Sequence, residues 1–124
     1  MTRMTTAKIN DGTSKTLLAA EKWVHHTQTD GIVGLTAEDK GWADGWDFDA
    51  LRSTILNPRP DSQDPKLPIN DPEHFTNYLL GSAHSGGINV VFADGSVTTI
   101  SYDVDLETFN RLGNRLDGEV VEDY

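Results

Sequence analysis

The 124-residue chain contains no cysteine, which removes disulfides, thiolate metal sites and cysteine nucleophiles together. Absent cysteine does not fix the compartment, because an exported protein can fold without disulfides. Positive charge is scarce: 10 Lys and Arg stand against 20 Asp and Glu, for a net charge of -10. Such a surface repels phosphate backbones and anionic lipid, so nucleic acid is not expected as a partner. It suits solubility, calcium or a basic protein partner. Long apolar runs are also missing, and residues 1–10, MTRMTTAKIN, hold no stretch of signal-peptide or membrane-anchor length. The expectation is a soluble chain that makes no membrane contact itself, either cytoplasmic or read without a removed export segment. No Gly-x-Ser-x-Gly elbow, Walker sequence, dinucleotide fingerprint or His-Glu-x-x-His occurs. Ser82, Ser85 and His84 lack a base-orienting arrangement, so the chain is not expected to be an enzyme.

What is present is strongest at residues 84–101, HSGGINVVFADGSVTTIS. Ile88, Val90 and Phe92 alternate with Asn89, Val91 and Ala93, and Val97 and Ile100 continue beyond Asp94-Gly95. This spacing predicts a β-hairpin, with Asp94 and Gly95 as the two positive-φ residues of a primed turn. Gly86 and Gly87 precede the first strand, where a missing β-carbon allows a sharp entry or a close backbone approach. Downstream, Leu106, Phe109 and Leu112 fall at helical spacing, with Asp105 as N-cap and Gly113 as the stop. The closing DGEVVEDY reads as an edge strand or a frayed acidic tail.

The length fits one domain spanning 1–124 with a single core. Residues 10–14 form a turn cluster, and the apolar run from Leu17 to Val24 is open to helix or strand by composition. Residues 25–50 read as a structured loop and 49–56 as a short strand or one helical turn. All five prolines, at 58, 60, 65, 68 and 72, make 57–74 an extended connection without regular ladders.

Each candidate for chemistry has a competing structural reading. His84 and Asp94 are of catalytic type, but nine residues of mostly extended chain at about 3.3 Å each separate them, so Asp94 is expected to shape the turn and His84 to bond a loop carbonyl. His25 and His26 diverge on either a strand or a helix, and His74 is not nominated as a third ligand by spacing. Asp44, Asp47 and Asp49, followed by Asp61, Asp64 and Asp71, make an oxygen-rich stretch that calcium favours, although DGWDFD fails the EF-hand pattern. A solvated acidic loop is the alternative. Trp42 and Trp46, with Phe75 and Tyr78, suit a sugar-stacking platform or a pin that fastens the loop to the sheet.

The segment GSAHSGGINVVFADGSVTTIS, with His84, nine residues, then Asp94-Gly95, resembles the processing-associated C-terminal segment of bacterial prepilin-like proteins. INDGTSKTLLAAE at 9–21, with its Asp11-Gly12 turn, and GEVV at 118–121 resemble the same family in the same order. Ser85 stands where proline commonly follows the histidine. The resemblance implies a globular head similar to those of type II secretion pseudopilins and type IV pilins. Its fold would be α+β, a mainly antiparallel sheet with a C-terminal hairpin and a short helix, lacking the N-terminal helix that normally carries it. On this basis Thr16–Ala20 is expected as strand. His84, Gly86, Gly87, Asp94, Gly95, Asp11 and Gly12 would be structural motif residues, not catalytic ones. The implied role is non-enzymatic assembly, outside the cytoplasm if an export helix has been trimmed, with other pilin-like subunits or secretion components as partners. No cofactor is expected; calcium at Asp44, Asp47 and Asp49 stays open. The competing function is a calcium- or carbohydrate-binding module using residues 42–49.

Overall fold

The computed structural model describes residues 5–24, 50–63, 78–119, 121 and 124. Over these the fold is α+β and mostly antiparallel. A three-stranded sheet has the order β1-β4-β5, formed by Leu17–Ala20, Gly87–Phe92 and Val97–Ser101, with both pairings antiparallel. A two-stranded parallel pair joins β2 (Arg59–Pro60) to β3 (Gly81–Ser82), and one helix, α1, spans Leu106–Gly113. A single 3-10 turn at Thr6–Lys8 precedes β1.

The alternation that predicted β4 also divides its two faces. Ile88, Val90 and Phe92 are fully buried on one face with Ile100 of β5, and α1 contributes Phe109 and Leu112 to the same core with Leu80, Val104 and Val121. Each such side chain contributes about 1.5–3 kcal/mol through apolar area removed from water. The opposite face carries Asn89, Val91 and Thr99 and stays at least partly wet. β1 is strand, yet Leu18 is 70% exposed, because a register shift between Leu17 and Ala19 interrupts its alternation.

Four local readings are corrected or made more specific. The hairpin turn closes one residue earlier than a primed Asp-Gly turn would: Gly95 N–H donates to the Phe92 carbonyl and Phe92 N–H to that of Ser96. Ala93 and Asp94 are therefore the inner residues, and Gly95 follows at φ +87° as the third loop residue. Asp94 drives this by accepting from Ser96 N–H and Oγ, at 2.9 and 2.6 Å. Second, Gly113 is the last residue of α1 as expected, but without a positive φ. It ends α1 where a Cβ would collide with the Thr54 side chain, and the cap at Asn114 is extended at φ -96°. Third, Pro60 sits inside a ladder. The donors to β3 come from Arg59 and Asp61 on either side, so the N–H that proline lacks falls where no bond is needed. Fourth, the C-terminal residues form no described strand, and they are not frayed at Gly118, Val121 or Tyr124, as detailed below.

Asp105 caps α1 as expected, accepting from Thr108 N–H at 2.9 Å. That bond holds its carboxyl below the ordinary carboxylate range. A carboxyl lowered in the folded state contributes stability above its unfolded value and loses it as pH falls through the folded one. Asp105→Ala should therefore melt below wild type at neutral pH, with the gap closing in acid. Melts across that pH range check this, and a gap independent of pH would count against the cap.

Candidate functional site

The hairpin gathers the residues singled out in the sequence into two separate clusters. At its tip, Asp94 N–H donates to the Thr13 carbonyl and Ala93 N–H to that of Thr16, at 3.0 and 2.9 Å. The Asp-Gly-Thr-Ser turn is thereby seated against the hairpin loop. Gly12, at φ +93°, lets this turn close, and Thr16 Oγ1 donates back to the Gly12 carbonyl at 3.1 Å. Asp11 is 8% exposed, and its Oδ1 accepts from Gly118 N–H at 2.8 Å, 107 residues further along. Asn10 N–H donates to the Arg115 carbonyl, and Arg115 donates back to the Lys8 carbonyl. Tyr124 packs on Phe92 with ring centroids 5.4 Å apart and receives the Lys15 ammonium over its ring. Burial, and then the charge of Asp94, raise the Tyr124 phenol above its ordinary range.

The second cluster lies at the base of β4. His84 N–H donates to Ser82 Oγ at 3.0 Å, and its carbonyl accepts from the Tyr102 hydroxyl at 2.7 Å. Ser82 Oγ donates to the Gly87 carbonyl and lies 3.0 Å from the Tyr102 hydroxyl. The loop before the strand is thus laced through its backbone. The imidazole turns outward, 62% exposed, with Nε2 3.2 Å from Glu21 Oε1. Glu21 Oε2 accepts from Asn89 N–H at 2.7 Å, and Asn89 Oδ1 accepts from Thr99 Oγ1 at 3.0 Å. A polar row so runs across the wet face from the end of β1 through β4 to β5.

His84 and Asp94 share no partner among the described residues. Asp94 is held by hydrogen bonds from Ser96, which keep its carboxyl below the ordinary range, whereas His84 meets Glu21. The Glu21–His84 pair has the composition of a general base and its orienter. The buried Ser82 adjoins it, but its Oγ is engaged with the His84 amide, the Gly87 carbonyl and the Tyr102 hydroxyl; a concavity of about 350 Å³ lies by Leu17–Ala20, Ala50–Thr54, Leu80 and Gly113, and His84 does not line it. Glu21, Ser82, Asn89 and Tyr102 had no signal in spacing, because their partners are distant in sequence. The two adjacent glycines also differ: a Cβ on Gly87 would run into the Ile100 carbonyl, while Gly86 faces open space.

Among the described residues no three His, Asp or Glu side chains are grouped to hold a metal ion. Asp44, Asp47, Asp49, Asp64 and Asp71, with Trp42, Trp46, Phe75, His25, His26 and His74, lie outside the described residues. Asp61 is described, and its Oδ1 accepts from Val24 N–H at 3.0 Å, fastening β2 to the end of the β1 segment. No described helix is long and apolar enough to cross a membrane. A family model whose description is "Protein of unknown function (DUF1559)" matches residues 1–107. No curated protein and no solved structure matches the chain.

Proposed function

The chain belongs to the DUF1559 family, a family associated with prepilin- and pseudopilin-like proteins, and from that premise we propose a non-enzymatic, surface-exposed head that works in secretion or appendage assembly. The observation that carries this reading is the use to which the conspicuous residues are put. Asp11, Gly12, Asp94 and Gly95 join turns drawn from opposite ends of the chain, and the His84 backbone is spent on Ser82 and Tyr102. The three stretches that resemble prepilin-like proteins, at 9–21, 81–101 and 118–121, meet through these bonds. A motif consumed in backbone fastening is a folding device, and the function then rests on the surface it displays. On this reading the head is displayed outside the cytoplasm, and its partners are other pilin-like subunits or secretion components.

The test is genetic complementation in the source cells. Loss of the chain should impair secretion or appendage assembly. His84→Ala should restore it fully, since only its solvent-accessible pairing with Glu21 is lost, which contributes about 0–1 kcal/mol. Purified wild type should show no turnover that His84→Ala removes. A hydrolytic rate that vanishes with the imidazole would overturn the proposal. Calorimetry with calcium and with glycans tests the competing binding role of residues 42–49.

A further inference from the structure

The outer edge of β5 is built to accept another strand. Phe92 N–H donates to Ser96 at the hairpin end, and Glu21 N–H donates to the Asn89 carbonyl on the other side of β4. Antiparallel pairs alternate, so Ile88, Val90 and Phe92 direct their backbone groups to β5, while Asn89 and Val91 direct theirs to β1. Their partners Thr98 and Ile100 face inward, which turns the backbone groups of Val97, Thr99 and Ser101 outward. Among the described residues these meet no neighbouring strand, although the Ser101 carbonyl already accepts from Val104 N–H, and the Val97 side chain beside them is 68% exposed. Edge strands ordinarily carry a lysine, a proline or a bulge that discourages pairing. β1, the opposite edge, has two of these: its register shifts, and Lys15 and Lys22 flank it. β5 has none, since VTTIS is uncharged, rich in β-branched residues and free of proline.

The charges around this edge specify what it accepts. From residue 85 to residue 110 there is no lysine or arginine, whereas Asp94 precedes β5 and Asp103 and Asp105 follow it. Hydrogen bonds from Ser96 and Thr108 hold Asp94 and Asp105 below the ordinary carboxylate range, so both stay ionised well into acid. A second copy is a poor occupant. Antiparallel self-pairing centred on Thr99 sets Asp94 of one copy opposite Val104 of the other and Asp103 opposite Gly95, so the acidic ends of both copies crowd together at each end of the pairing, between chains that each carry -10. We infer that the β5 edge docks an extended segment of a partner protein, β-branched at its centre and flanked by lysine or arginine, which joins the sheet as its next strand. The inference rests on the assembly reading, to which it adds the surface and the chemistry of the contact.

The experiment is a titration of the isotopically labelled chain with two blocked peptides of alternating threonine and valine, one ending in lysines and one in glutamates. The lysine-flanked peptide should shift the amide signals of Val97, Thr99 and Ser101 and protect those amides from exchange. The glutamate-flanked peptide should bind about tenfold more weakly or worse, and high salt should erase the difference. Thr99→Pro deletes one outward donor, and Asp103→Lys inverts one flanking charge; each should weaken binding about tenfold while the core resonances stay in place. Equal binding of both peptides, shifts confined to β1, or self-association through β5 at the same concentrations would each overturn the inference. The assembly reading is decided separately: complementation that succeeds while the peptide fails to bind removes the edge alone, and His84-dependent turnover removes the assembly reading alone.

Discussion

Gly87→Ala is expected to cost at least about 3 kcal/mol and to lower Tm by about 10 °C or more, while Gly86→Ala stays within about 0.5 kcal/mol of wild type. The two glycines are neighbours at the entrance to β4, and propensity would treat them alike. Their surroundings differ. An ideal Cβ at Gly87 lands on the backbone oxygen and carbon of Ile100, which precedes its cross-strand partner Ser101 on β5, whereas one at Gly86 meets nothing within 4 Å. Backbone in a ladder cannot rotate aside as a side chain does, so relief requires spreading β5 from β4. That would disturb Ile88 and Ile100, both fully buried. Thermal melts of the two variants decide the matter; equal losses would show that the close approach is not what selects glycine at 87.

Phe109→Ala should cost about 3–5 kcal/mol, whereas Leu106→Ala, one turn earlier on α1, should cost far less. Phe109 is fully buried against β4 and β5, but Leu106 is 39% exposed. Removing the phenyl ring takes away transfer free energy and also leaves a void that Ile88, Val90 and Leu112 cannot fill without moving. Denaturant unfolding gives the difference directly, provided the slope with denaturant is unchanged. Comparable losses at both positions would place the core on a different face of the helix.

The elements legible in the sequence were those whose causes are local. Alternation from Ile88 to Phe92, a glycine behind Asp94 and an aspartate before Leu106 each act within a few residues, and the hairpin and α1 follow from them. The error in turn type was also local, because Asp94 can serve either as a positive-φ residue or as an acceptor for Ser96, and composition does not choose. The β2–β3 pair could not be read, since it needs two residues from each side and one is proline. Gly113 was legible as the end of α1, but its close contact with Thr54, 59 positions earlier, was not. Of the two clusters, the turns of Asp11 and Asp94 were recognisable separately but not as a junction. The Glu21–Asn89–Thr99 row had no trace in spacing at all, being a product of strand order.

The junction between Asp11 and Gly118 has a consequence for synthesis. The pairing partner of β1, β4, begins 67 residues after β1 ends, and the Asp11 carboxylate waits longer still for the amide of Gly118. Until β4 is made the Leu17–Ala20 segment lacks its partner strand, so the sheet forms late relative to the synthesis of β1. The Asp11 turn is thus secured by an amide made 107 residues after it.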